Sequence, residues 1–406
     1  MNSNRFVKKK GMSALSKLST SQIDKLNIGL MVFSLILAYI LPFELFLFSY
    51  AVLGPLHYLT EVSWLHQKEY YIPNNKKRLW VFPVLATLLT LVLISDDLGK
   101  MLGFRVNDEV QVWGTNIIFF LFAISFIIII LKKTWQKILG FALIGILVTT
   151  VNFNSACITC THPTTGVENT ICNENTAVTN KFIRSHGMDK NGDGMISLSG
   201  ADNCVSKSQF PAMALLFGAY IPTLIHVFFF TMFFMLFGAL KSKSKYGYLA
   251  VVTMIVCGII PFVFDPPFIS YHIGEQTKQI YNQTFLSLNK TIFSTFHLGS
   301  TDVSSIYESN MGIMLTRFIA FAYTYHYLNW FSKTSIIQWH KVPKLNLAVV
   351  LILWIVSVGL YAYNYVIGFT ALLFLSFIHV FVEFPLNFQS FRGIIMALMG
   401  KKVQTA

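Results

Sequence analysis

Apolar positions along this chain gather in ten blocks, over 27–41, 44–64, 79–95, 112–131, 136–152, 209–239, 247–264, 311–332, 346–363 and 366–388. A helix rises about 1.5 Å per residue, so blocks near twenty residues match a hydrocarbon layer about 30 Å thick. The pattern predicts about ten transmembrane helices in an all-α, polytopic integral-membrane bundle. The sixth block is long enough to tilt or to project beyond the bilayer.

The polar positions between the blocks set the orientation. Segments 1–26, 65–78, 132–135, 240–246, 333–345 and 389–406, with Lys137, hold 22 Lys/Arg against two acids, Asp24 and Glu69. The alternate segments 96–111, 153–208 and 265–310 hold 8 basic residues against 13 acidic ones. By the positive-inside rule both termini are expected in the cytoplasm, as a basic N-terminal tail (1–26) and a C-terminal tail (389–406). Helices 1–5 then occupy 27–152, and helices 6–10 occupy 209–388. The 153–208 insert and the 267–310 segment, which has room for short interfacial helices, fall outside. No cleavable signal peptide is read, and a bacterial inner membrane is the expected location.

Composition narrows the class further. Hydrophobic residues make up 54% of the chain and charged residues only 12%, about half the usual share for a soluble protein. That excludes a soluble enzyme, a disordered chain and a fibrous repeat. The net charge of +13 fits a basic surface facing anionic membrane lipid and not nucleic-acid binding.

The insert has a chemistry of its own. Cys157, Cys160, Cys172 and Cys204 are four of the five cysteines. In an oxidising compartment they predict two disulfides, with three pairings open. A zinc site of Cys157, Cys160, His162 and Cys172 is the alternative. In CITCTH the histidine stands one position too late for covalent haem attachment. The run DKNGDGMIS matches the first half of a calcium loop: Asp189, Asn191, Asp193, Met195 and Ser197 take positions 1, 3, 5, 7 and 9. Gly200 stands where the bidentate Glu belongs, so Ca²⁺ binding there would be weak and structural.

Four of the ten histidines lie inside predicted helices: His57, His226, His326 and His379. Counted from the cytoplasmic ends they share a slab roughly 10 Å deep. Ionisable groups at that depth face the bundle interior and have partners. Glu61 and Glu383 each follow a histidine by four residues, which places them on the same helical face. A carboxylate behind an imidazole fixes its tautomer and strengthens it as a ligand, and neutral imidazoles suit Fe(II). His226 has no acid near it on its own helix. Tyr325, with Tyr323, Tyr327 and Asn329, is a candidate donor beside the metal. Arg317 is a lone intramembrane cation, expected to pair with Glu44, to bind a polar substrate end or to snorkel. A single membrane histidine most often bonds another helix, but four at one depth point to a metal.

At GPLHYLTE, with His57 and Glu61, and IHVFVE, with His379 and Glu383, the chain resembles the membrane-bound Brp/Blh family of β-carotene 15,15′-dioxygenases. The helices carrying His226 and His326 match the two internal histidine helices of that family. The family has Asp where Glu61 and Glu383 stand, an acid after its second histidine where VFFF follows His226, and a fourth-residue His where Trp330 follows His326. The resemblance implies a four-histidine Fe(II), O₂ as co-substrate and a carotenoid cleaved to retinal. The residues alone leave two other classes open. One is a lipid hydroxylase or desaturase, which usually carries denser histidine boxes. The other is a transporter relaying protons through His/Glu pairs.

Overall fold

The computed structural model describes residues 18–68, 84, 86–88, 90–91, 127, 131, 133–153, 156–161, 168–172, 204–208, 216–269, 271–333 and 342–400. The chain forms two compact units, residues 1–86 with 222–406 and residues 87–221. Expected span 79–95 lies largely, and 112–131 almost wholly, outside the described residues. So do the calcium-loop residues Asp189, Asn191, Asp193, Met195 and Ser197. Of the four cysteines in the insert, the backbone alone is described.

In the first unit, α1 (Thr20–Ile40) opens with a capping box. The Ser19 side chain accepts from Gln22 N–H and the Gln22 side chain accepts from Ser19 N–H, which satisfies two of the helix's unpaired donors. The next span is not one regular helix. It runs as α2 (Pro42–Phe48), a π turn (Ser49–Leu53) and α3 (Gly54–Lys68). Gly54 N–H bonds Ser49 C=O, five residues back, just before Pro55, which has no N–H to give.

A long π-helix (Leu216–Phe230) enters this unit at Pro222 and continues as α5 (Thr231–Ser242), after α4 (Thr134–Phe153) in the other unit. There follow α6 (Lys245–Val263), three short helices α7 (Glu275–Thr284), α8 (Leu286–Phe296) and α9 (Val303–Glu308), then α10 (Asn310–Ser332), α11 (Lys344–Tyr363) and α12 (Tyr365–Leu398). The segment between α6 and α10 is thus helical in three pieces. Asp302 caps α9 by accepting from Ser305 N–H, and Ser309 caps α10 by accepting from Gly312 N–H. The last helix continues to Leu398, so most of the expected 389–406 tail is helical, an extension that the polar residues beyond 388 concealed.

Six helices among the described residues are long and apolar enough to cross a membrane: Thr20–Ile40, Pro42–Leu65, Thr223–Ser242, Lys245–Val263, Lys344–Tyr363 and Tyr365–Leu398. They are apolar outward: Val32, Phe33 and Ile36 of α1, Val252 and Ile259 of α6 and Ile352 and Ile355 of α11 are exposed, as lipid contact requires. Helix α10 is of spanning length but less apolar, and packing explains why. It lies against α1, α2, the π turn, α3 and α6, and buries Thr316, Arg317, Thr324, His326, Asn329 and Ser332. A helix sheltered by others has no need of an apolar surface on every side.

The fold is helical as expected, and the second unit adds one small sheet to it. Strands β1 (Ala156–Thr161), β2 (Glu168–Cys172) and β3 (Cys204–Ser208) form an antiparallel sheet in the order β2-β1-β3. Their short β-branched and cysteine-rich stretches are too brief to stand out beside twenty-residue apolar blocks.

Candidate metal centre

Four elements each contribute one imidazole: α3 carries His57, the π-helix His226, α10 His326 and α12 His379. All four are buried, between 1% and 6% exposed. His57 Nε2 lies 3.1 Å from His326 Nε2, and His226 Nε2 lies 3.1 Å from His379 Nε2. The rings form a closed set, with centroids 4.7 Å apart for His57–His326, 4.8 Å for His226–His326, 5.0 Å for His226–His379 and 5.4 Å for His57–His379. Ligand atoms of His57, His326 and His379 all lie within 4.8 Å of one another, so these three form a buried group able to hold a metal ion.

The contacts that hold these rings cross between helices. Trp330 Nε1 donates to Thr60 Oγ1 at 3.0 Å, tying α10 to α3 beside His57. Ser49 and Thr324 share a hydrogen bond at 2.8 Å, anchoring the π turn to α10. Thr231 Oγ1 is 2.7 Å from His326 Nδ1, on the far side of that ring from His57. The Tyr58 ring stacks on His379, with centroids 4.1 Å apart, and the hydroxyls of Tyr58 and Tyr327 meet at 2.7 Å. Gly54 permits this pair: a Cβ there would stand 3.2 Å from the Tyr58 hydroxyl and 3.3 Å from that of Tyr327.

Both carboxylates reach the cluster, neither in the expected way. Glu383 does not back its own helical neighbour His379. Its Oε2 lies 3.1 Å from Nδ1 of His226, which has no acid on its own helix. Glu61 Oε2 lies 3.0 Å from Nε2 of His57, the nitrogen that faces His326. It stands beside the candidate ligand atom, not behind the ring.

Other expectations are redirected by packing. Tyr325 points away from the histidines: its hydroxyl donates to Asn27 Oδ1 at 3.2 Å and lies 3.2 Å from Met235 Sδ, and it accepts from Asn329. Successive helix residues are turned about 100° apart, so Tyr327 faces the cluster while Tyr325 faces α1 and α5. The Tyr327 ring is 5.2 Å from His57. Arg317 pairs with Asp265 at 2.7 Å and lies over the Tyr39 ring, whereas Glu44 accepts from the Tyr271 hydroxyl. Arg317 is buried and Asp265 half exposed. Removing the carboxylate strands a buried guanidinium, at a cost between that of a surface pair and that of a fully buried one. Asp265→Asn is therefore expected to lower stability by about 1–2 kcal/mol, measurable as a lowered unfolding temperature in detergent.

The cluster opens into a cavity of about 180 Å³ whose walls include Tyr50, Phe285, Tyr323, Phe369 and Phe377 beside His226, His326 and His379. Its lining is chiefly aromatic, and it touches three of the four imidazoles. No protein-family model, curated protein or solved structure matches the chain.

Proposed function

We propose that the protein is an integral-membrane, iron-dependent oxygenase that cleaves a hydrophobic polyene, as the Brp/Blh family it resembles does with β-carotene. The observation that carries this reading is the set of four buried imidazoles, three of which line an aromatic cavity.

The donor set fits one metal ion. Two nitrogens at right angles, each about 2.1 Å from a metal, stand about 3.0 Å apart, close to the 3.1 Å of both Nε2 pairs. Neutral imidazoles suit Fe(II). The two buried carboxylates, Glu61 and Glu383, bring negative charge that a dication balances, in a setting where unpaired charge is costly. Lys333, at the end of α10, adds positive potential at both carboxylates but is a single charge. Bound iron would supply the binding and activation of O₂.

The chain's own groups have distinct tasks. Glu383 Oε2 stands 3.1 Å from His226 Nδ1, behind that ring, which leaves Nε2 free as a ligand. Thr231 plays the same part for His326, and the stacked Tyr58 holds the plane of His379. Glu61 sits close enough to the ligand nitrogen of His57 to join the coordination. The aromatic walls offer an apolar surface that excludes water from the reacting stretch of a polyene. At about 180 Å³ the cavity takes a segment of a forty-carbon chain, and the remainder would extend toward lipid.

The test is elemental analysis of the purified protein together with turnover of β-carotene under O₂. The expected result is about one iron per chain and two retinals per carotene and O₂ consumed. Stripping the metal with a chelator is expected to abolish turnover, and Fe(II) to restore it. Full-rate oxidation by iron-free protein would overturn the reading. Proton-coupled flux in liposomes by metal-free protein would favour the transporter.

A further inference from the structure

We propose that the 153–208 segment is closed by two disulfides, Cys157–Cys172 and Cys160–Cys204, one on each face of its three-stranded sheet. This stands apart from the metal centre and rests on the backbone register. In the antiparallel pairing of β1 with β2, Cys157 is directly opposite Cys172. In the pairing of β1 with β3, Cys160 is directly opposite Cys204. Opposed residues of an antiparallel pair have Cα atoms about 4.5–5.5 Å apart and share a face of the sheet, within the span a disulfide bridges.

The other two pairings fail on the same geometry. Cys157 and Cys160 lie on one strand, three residues and thus about 10 Å apart, and an odd spacing puts them on opposite faces. Cys172 and Cys204 lie on the two strands that flank β1, two strand spacings or about 9.5 Å apart sideways, and three residues out of register as well. Joining Cys157 to Cys204, or Cys160 to Cys172, would link positions three residues out of register on opposite faces. A disulfide does not bridge Cα atoms more than about 7 Å apart. The opposite faces of Cys157 and Cys160 also argue against a zinc site that uses both, since tetrahedral ligands must converge on one point.

The pairing has a structural rationale. The central strand would be fastened to both of its neighbours, and a sheet of three short strands has little core of its own. The charge bias along the sequence leads us to expect the segment in an oxidising compartment. Each bond would form by thiol–disulfide exchange. Two cysteine thiols give up two electrons and two protons to the disulfide of an oxidised dithiol carrier, which leaves as a dithiol.

The test is differential alkylation of the full-length protein isolated from its membrane. Free thiols are blocked with one maleimide under denaturing, non-reducing conditions. After reduction the newly released thiols take a heavier maleimide, and both labels are located by tandem mass spectrometry. In the unaltered protein Cys257, a free cysteine of α6, is expected to carry the first label and the other four the second. Besides Cys257, Cys157→Ser is expected to carry the first label at Cys172 and at no other cysteine, and Cys160→Ser at Cys204 and at no other. First label on Cys160 or Cys204 in Cys157→Ser, or on all four cysteines of the unaltered protein, overturns the pairing. Should the single variants fail to accumulate, the double variant Cys157→Ser/Cys172→Ser is expected to keep the second label at Cys160 and Cys204. First label at both would overturn the proposal.

Discussion

If the proposed site holds metal, His57→Ala, His326→Ala and His379→Ala are each expected to leave the purified protein with less than a tenth of the metal found in the unaltered chain. Their ligand atoms are the three that converge within 4.8 Å, and the site is buried, so a deleted imidazole has no exposed side chain to replace it. His226→Ala is expected to lose less. Its Nε2 is close to that of His379 but stands outside the three-residue group. Glu383→Gln should fall lower again in the series, with metal affinity reduced by about 10–100-fold, the range typical of groups that orient a ligand without binding metal. The graded order is the informative part. A purely hydrogen-bonding histidine cluster would show no metal in any variant, and a metal held elsewhere would show the same content in all five. Elemental analysis after gel filtration, with the melting temperature recorded alongside, separates loss of metal from loss of fold. Unchanged metal content across the series would remove the assignment of the site.

How far this centre could be read from the chain follows from which contacts are local. The depth of the four histidines is a property of single helices, counted from their ends, and the structure does bring all four together. The spacing of Glu383 from His379 is also local, yet it misled. Residues four apart share a helical face only approximately, and α12 packs so that Glu383 meets His226 from another helix. Tyr58, adjacent to His57, reaches the cluster by stacking on His379 across a helix boundary, which no spacing on α3 reveals. Thr231 is similarly hidden, since threonine in an apolar run gives no sign of a partner 95 residues away. The π turn at 49–53 was foreshadowed by Gly54-Pro55, because a proline without N–H disturbs the ladder before it. The sheet in the insert was masked by scale, its strands being five or six residues long.

Gly312→Ala is expected to damage the protein more than any other glycine-to-alanine change in α10 or its approach. A Cβ at Gly312 would lie 2.2 Å from the backbone oxygen of Ile306 and 2.7 Å from that of Ser305. These are main-chain atoms of α9, held by the Asp302 cap and by the turn into α10, so no side-chain rotation relieves the clash. The two helices must move apart by about an ångström, a change of the overpacking kind, which costs roughly 3 kcal/mol or more when backbone must give way. Helix α10 also carries His326, so the displacement reaches the candidate metal centre. Gly312→Ala should therefore melt earlier and bind less iron, although Gly312 touches neither metal nor substrate. Gly29→Ala supplies the contrast. Nothing lies within 4 Å of a Cβ at Gly29, in the interior of α1, and alanine there gains helix propensity of up to about 1 kcal/mol. It should melt at or slightly above the temperature of the unaltered protein and keep its metal. The two variants make the same chemical change in the same kind of element, so their difference isolates the close approach of α9 to α10. Equal melting temperatures for both would mean that the α9–α10 contact is looser than its geometry requires.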